Sequence, residues 1–418
     1  MVLDITQQSK VVFLLLIMRS IRNDTSHHIS PHNTEETSMA WRMPAETAPH
    51  ERTWMAFPRT GLTLGDDAAS AEEAYAAWTA VAHAVSKFEP VTMVVDPSER
   101  DRASRMLGAG IEQLEAPLDE FWMRDVGPTF VVDDERPGVL GAVDWIFNGW
   151  GAPAWSEWQK SAGMARFVAE ESGAELVTSL LVNEGGAIHV DGEGTVLVTE
   201  TVQLDPHRNP FADKARVEAE LSRTLGTTQT VWVPRGLTRD YEDLGTRGHI
   251  DMVATLPSPG RVLLHSQTNP GHPDFEVSRT LQRFFETQQD AAGKPFEITL
   301  LPAPETLRDD EGFVDWSYVN HLVVNGGVIA CGYGEERADA LAAEILAEAY
   351  PGRRVVTVDA GQSSPGAGES TASRSSSPHS TGRWHDEPLR RRRGLHRAAA
   401  HRPGSRHGDQ PGTHPGVP

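Results

Sequence analysis

The feature that most constrains this 418-residue chain is a recurring order of signals: two apolar, strand-like runs, an amphipathic stretch of helical period, and another strand-like run. Between Met43 and Ala360 it comes round roughly five times at a loose spacing of about 60 residues, with no residue-level repeat to prove duplication. The first helix is predicted over Asp66 to Phe88, with Tyr75, Trp78, Ala82 and Val85 on one stripe, followed by a strand at Val91 to Val95. A short helix should open at Pro97-Ser98, then strands at Pro128 to Val132 and Val139 to Val143, and a helix from Trp155 to Glu171. Strands Ala187 to Val190 and Thr195 to Thr199 flank Asp191-Gly192-Glu193-Gly194, which reads as a hairpin turn. The next round places a helix at Phe211 to Leu225 and a strand at Thr230 to Val233. Another has strands at His249 to Thr255 and Arg261 to His265, a helix from Asp274 to Gln289 and a strand at Phe296 to Leu301. The last has strands His321 to Val324 and Gly327 to Gly332, a helix from Glu335 to Tyr350 and a strand from Val355 to Val358. The pattern predicts an α/β fold with mixed sheets, and the length suits two ordinary domains or one large core.

The two ends do not share the pattern. Residues 1–42 read as a disordered N-terminal extension, and Met39 opens a stretch that looks like a proper start. Its apolar run, Val11 to Met18, is too short to span a bilayer, and no small-residue cleavage site follows, so no signal peptide is read. Residues 361–418 are rich in Ser, Pro, Gly, Arg and His, with nine arginines, no lysine and four acids. Such a segment cannot bury enough surface to fold. A basic arm for an acidic partner and a reading frame lost in GC-rich DNA both give that composition.

The formal net charge of −21 argues against nucleic acid or an anionic membrane surface as partner and favours a small cationic one. With one cysteine, Cys331, no internal disulfide can form, which fits a reducing cytoplasm.

Polar residues exceed what packing needs in four places: Trp122-Met123-Arg124-Asp125-Val126-Gly127-Pro128, Asn183-Glu184-Gly185-Gly186, His189-Val190-Asp191 and Gly248-His249-Ile250-Asp251. If Gly248 to Leu256 is a strand, His249 and Asp251 point the same way, an imidazole for proton transfer beside a carboxylate for a cation. Each piece has a plainer explanation: His-x-Asp as a satisfied polar pair, Arg-Asp as a surface ion pair, Glu184 as a loop acid. Two His-x-Asp pairs also raise a divalent metal, though no His-x-His, His-Glu-x-x-His or cysteine pair supplies further ligands. Neither a Gly-x-Ser-x-Gly elbow nor a phosphate-binding loop is present.

Taken in order, these segments make the chain resemble the agmatine deiminase and bacterial-type peptidylarginine deiminase family, from Met43 to about Ala360. Met43-Pro44-Ala45-Glu46, Pro49-His50-Glu51 and Thr53-Trp54-Met55-Ala56-Phe57-Pro58 begin the likeness. The Trp122 to Pro128 run, Phe147-Asn148-Gly149-Trp150-Gly151, and Glu184-Gly185-Gly186 with His189 to Thr195 continue it. Gly248 to Asp251, Ser317-Tyr318-Val319-Asn320 and Val324-Asn325-Gly326-Gly327 complete it. The resemblance implies a five-bladed pseudo-symmetric α/β propeller of ββαβ modules, with its last blade incomplete in this chain. It implies hydrolysis of a guanidinium to a ureido group with release of ammonia, as in agmatine to N-carbamoylputrescine, a step of polyamine metabolism. Asp125 and Asp251 look like the carboxylates that grip guanidinium nitrogens, His249 like the general acid/base, and Glu184 like a further acid of the pocket. Trp54 and Trp122 look like its walls. No metal or cofactor is implied, and a homo-oligomer is compatible.

That chemistry needs a cysteine thiolate, carried near the family's C-terminus in a Gly-rich loop followed by His-Cys and a Thr. The matching region should follow Ala360, where this chain enters its cysteine-free tail. Cys331, on an apolar run, reads as a small core residue. The expectation is a deiminase by ancestry with impaired turnover. A non-catalytic guanidine-binding relative, a peptidylarginine deiminase and a metal-dependent hydrolase stand as alternatives.

Overall fold

The computed structural model describes residues 18–21, 41–61, 63–64, 71–154, 156–242, 244–309 and 312–359. All of them fall within one compact unit, Met1–Ser363. Two short strands come first, β1 (Met18–Ile21) and β2 (Trp41–Arg42). Then β3 (His50–Ala56), α1 (Glu72–Val85), β4 (Val91–Val95), α2 (Arg100–Leu107) and β5 (Glu112–Glu115) give a sheet ordered β1-β3-β4-β5. The single turn α3 (Met123–Val126) leads into β6 (Thr129–Asp133), β7 (Leu140–Ile146), α4 (Met164–Ser172) and β8 (Glu175–Val182), in a sheet ordered β2-β6-β7-β8. Next come β9 (His189–Val190), β10 (Thr195–Thr199), α5 (Glu200–Gln203), α6 (Lys214–Leu225) and β11 (Gln229–Val233). β12 (Ala254–Ser258), β13 (Arg261–Ser266), α7 (Asp274–Phe285) and β14 (Glu297–Pro302) follow. A short antiparallel pair, β15 (Arg308–Asp309) and β16 (Gly312–Phe313), precedes β17 (Leu322–Val324), β18 (Gly327–Gly332), α8 (Glu336–Ala349) and β19 (Arg354–Asp359).

One rule builds each larger sheet. A first strand pairs antiparallel with a second; a helix crosses over; a third strand pairs parallel with the second. It holds for β6-β7-β8, β9-β10-β11, β12-β13-β14 and β17-β18-β19. A parallel return needs such a crossover, which is why every module costs a helix between its second and third strands. In the module of β3, α1 and β4, the first-strand position is filled by β1, antiparallel to β3 with Met18 opposite Trp54.

Burial follows the helical stripes. Tyr75, Trp78, Ala82 and Val85 are all buried on α1, the face read from the sequence. They join a core shared by the first and last modules, which includes Met93, Phe57, Leu322 and Ile329. Polar bonds tie the same two modules: Asn325 Nδ2 donates to the His50 carbonyl at 2.8 Å, His50 N–H donates to Asn325 Oδ1 at 3.0 Å, and Asn325 N–H donates to Glu89 at 2.7 Å. Burial alone would raise the Glu89 pKa, but the His50 ring, the Thr53 hydroxyl and the Asn325 N–H pull it to about 2.

Several expectations need correcting. Within residues 1–42 the described segments Met18–Ile21 and Trp41–Arg42 are strands; the edge of β3 presents unpaired backbone groups that a passing segment can satisfy. Residues 249–252 are not strand: His249 precedes a 3₁₀ turn, Ile250–Met252, and β12 begins only at Ala254. The helix expected from Trp155 starts at Met164, after a 3₁₀ turn at Ser161–Gly163. β3, β5 and β8 were not anticipated. The predicted helix start at Asp66, the residue Trp155 and the 361–418 tail lie outside the described residues.

Candidate active site

The site is assembled from what lies just ahead of the first strands. Asp125 sits in α3 before β6, Glu184 five residues before β9, and His249 and Asp251 in the approach to β12. Asn320, ahead of β17, donates to the Asp251 carbonyl at 3.4 Å. These loops are far apart in sequence, and the modules bring them together.

His249 is fully buried at the centre. Its Nε2 is 3.3 Å from Glu184 Oε2, and its Nδ1 is 4.0 Å from Asp125 Oδ1 and 4.0 Å from Asp251 Oδ1. Gly186 makes this convergence possible. A Cβ on Gly186 would fall 2.5 Å from His249 Nδ1 and 2.9 Å from both Asp125 Oδ1 and Asp251 Oδ2. Only glycine leaves that space to three polar groups.

The carboxylates are held unequally. Asp125 accepts from the Trp150 indole N–H at 2.9 Å and from Gly186 N–H at 3.0 Å. Trp150 takes a left-handed φ of 61° in the Gly149-Trp150-Gly151 turn, an uncommon state for an aromatic residue, and there its indole reaches Asp125. Glu184 is bound by Arg208, whose Nε donates to it at 2.9 Å, while Arg208 Nη1 donates to Asp205 at 3.0 Å and Nη2 to the Thr246 carbonyl at 2.8 Å. Asp251 differs from both. Its two oxygens are buried and accept no hydrogen bond among the described residues, and His249 Nδ1 is in the same condition. Leaving such atoms unpaired costs about 1–3 kcal/mol each, so the two Asp251 oxygens mark a place prepared for donors.

Protonation follows from this arrangement. Burial alone would lower the His249 pKa, but Asp125, Glu184 and Asp251 override it and hold the imidazolium up to about 9. Burial pushes Asp251 up to about 7, with His249 opposing and the Asp125 charge adding to it. Burial likewise raises Asp125 despite His249. Burial would raise Glu184 too, but Arg208 and His249 bring it below the usual carboxylate range. A small cleft opens beside Asp251, lined also by Glu46, Arg124, His189, Asn320 and His321.

All four acid and imidazole candidates therefore converge. The two tryptophans do not join them by any side-chain hydrogen bond or ring contact among the described residues: Trp54 is buried within β3, and half-buried Trp122, whose carbonyl accepts from Asp125 N–H at 2.9 Å, stacks its ring on Phe121 at 4.7 Å. The second His-x-Asp pair finds hydrogen-bond partners away from the cluster, although His189 also lines the cleft. His189 Nε2 is 2.9 Å from the Thr255 hydroxyl, and Asp191 accepts from Glu193 and Thr195 N–H to shape the turn. No three His, Cys, Asp or Glu side chains among the described residues are placed to hold a metal ion. Cys331 lies on β18 opposite Val358, buried, its thiol pushed up to about 12 by that burial. Arg208 and Asp240 escaped the sequence reading, because Asp205-x-x-Arg208 and Arg239-Asp240 look like surface charge pairs; Trp150 entered it only within the Phe147 to Gly151 motif, without a role.

Three carboxylates around a buried, protonated imidazole form the centre of the site. The Porphyromonas-type peptidyl-arginine deiminase family model matches residues 42–370, and the chain belongs to that family. A Streptomyces coelicolor protein is 50% identical over 323 residues, covering 77% of this chain and 94% of the relative. The agmatine deiminase of Stutzerimonas stutzeri is 36% identical over 339 residues, 76% of this chain and 89% of its own. Among solved structures, agmatine deiminase of Enterococcus faecalis superposes with a TM-score of 0.71 at 30% identity, over 77% of this chain and 91% of that one. No helix among the described residues is long and apolar enough to cross a membrane.

Proposed function

We propose that this chain binds a guanidinium between Asp125 and Asp251 in a site built for agmatine deiminase chemistry. One observation carries the reading: Asp251 Oδ1 and Oδ2 are buried and accept no hydrogen bond among the described residues, with Oδ1 4.0 Å from His249 Nδ1. A guanidinium has planar, forked N–H donors that match carboxylates in pairs. Water's oxygen would replace one guanidinium nitrogen, which leaves as ammonia with a proton from His249, giving the ureido product. The names of the relatives favour agmatine over peptidyl-arginine, to N-carbamoylputrescine as product. We further propose that the modules stand around the site as a five-bladed α/β propeller; the loops that converge ahead of the first strands, and the Asn325 clasp between first and last modules, support it. An acidic chain with one buried cysteine suits the cytoplasm.

The covalent route needs a thiolate, and the single cysteine is neither ionised near neutral pH nor part of the cluster. Binding without turnover is therefore expected of this chain. Calorimetry with agmatine should show binding, while an ammonia assay on the same mixture stays at the buffer baseline. Ammonia release at the rate of the Enterococcus faecalis enzyme would refute the second part; absence of any binding would refute the first.

A further inference from the structure

The segment that carries His249 is held in an improbable shape. Leu244, Arg247 and Gly248 all have left-handed φ, at 68°, 72° and 107°. Two of the three have a Cβ, for which that region is strained. Such a backbone persists only where its surroundings over-determine it. Here one side chain does so. The Asp240 carboxylate accepts from Thr246 N–H at 2.6 Å and the Thr246 hydroxyl at 2.7 Å, and from Gly248 N–H at 2.7 Å and His249 N–H at 3.0 Å. Its carbonyl accepts from Arg247 N–H at 2.8 Å. Thr246 Oγ1 also accepts from His249 N–H, at 3.2 Å.

Neutral N–H donors turned inward around one anion form a nest, and charge-assisted bonds of this kind are the stronger class. From the other side Arg208 ties the Thr246 carbonyl to Glu184, the residue that meets His249 Nε2. The imidazole is thus located twice, through its own main-chain N–H and through the partner of its ring nitrogen. We infer that Asp240 is a positioning residue for His249: it touches no substrate atom, and it sets where the imidazole stands against the guanidinium. This rests on the guanidinium-binding reading above.

Asp240→Asn keeps the size but offers one acceptor oxygen where two are used. The expected result is at least a tenfold weaker agmatine Kd by calorimetry. By NMR, the His249 ring titration should shift from about 9 toward the ordinary histidine value as the ring leaves Glu184. Thr246→Val removes only the hydroxyl bridge and should move both readouts the same way by less, which keeps the inference open to refutation if Asp240→Asn fails to fold. Glu242→Gln, an exposed neighbour, should move neither. Wild-type affinity and titration in a folded Asp240→Asn protein would overturn the inference. If the unaltered chain binds no agmatine, the guanidinium reading fails, and the His249 titration still decides the role of Asp240.

Discussion

Four first strands in this molecule differ from the fifth. β6, β9, β12 and β17 are each approached by a loop with a polar side chain at the cluster or its cleft: Asp125, Glu184, His249 with Asp251, and Asn320. β1 pairs with β3 in the equivalent place, yet the run before it, Val11 to Ile17, is apolar throughout and lies ahead of the family match, which begins at residue 42. The contrast teaches that completing a sheet and equipping a site are separate tasks. Main-chain pairing reads backbone groups, so many segments can occupy the edge of β3. The cluster reads particular atoms, and no carboxylate, imidazole or thiol precedes β1 within that run.

Four experiments sharpen this contrast. Gly186→Ala should do most damage, because its Cβ cannot coexist with three polar groups at 2.5–2.9 Å; agmatine affinity should fall on the order of 100-fold, about 3 kcal/mol. Starting the chain at Met39 removes β1, and should cost about 2 kcal/mol of stability from lost strand pairing, read as a lower Tm, with the agmatine Kd unchanged. A weaker Kd in that variant would mean β1 shapes the site after all. Agmatine binding should depend on pH through Asp251. Its folded pKa of about 7 means the carboxylate must lose a proton to meet a cation, so below pH 7 affinity should drop about tenfold per unit. Calorimetry in buffers of different ionisation enthalpy should then detect proton release; flat affinity from pH 5 to 8 would contradict the assignment. Cys331→Ala should cost only about 1 kcal/mol, as a small cavity within β18, and leave binding intact.

The repeating strand and helix pattern, the α1 stripe and the four converging acid and imidazole residues were legible in the sequence. The unread parts share a physical cause. His249-Ile250-Asp251-Met252 alternates like a strand, but a carboxylate nine residues upstream and a glycine with φ of 107° turn it instead. β8 escaped because Leu176 and Leu180 are 42% and 75% exposed, which blurs the alternation that marks a half-buried strand. Trp150 and Arg208 act through contacts across the fold, to Asp125 and Glu184, which their own neighbourhoods in the sequence do not show.

Arg208 has one more consequence. It is itself a guanidinium, fully enclosed and fixed against Glu184 and Asp205. A tethered group faces its partner at an effective concentration on the order of millimolar or more, with no association entropy left to lose. Free amidines cannot compete for Glu184 on those terms. Compounds designed for this pocket should aim their donors at Asp125 and Asp251, because the third carboxylate already has its ligand.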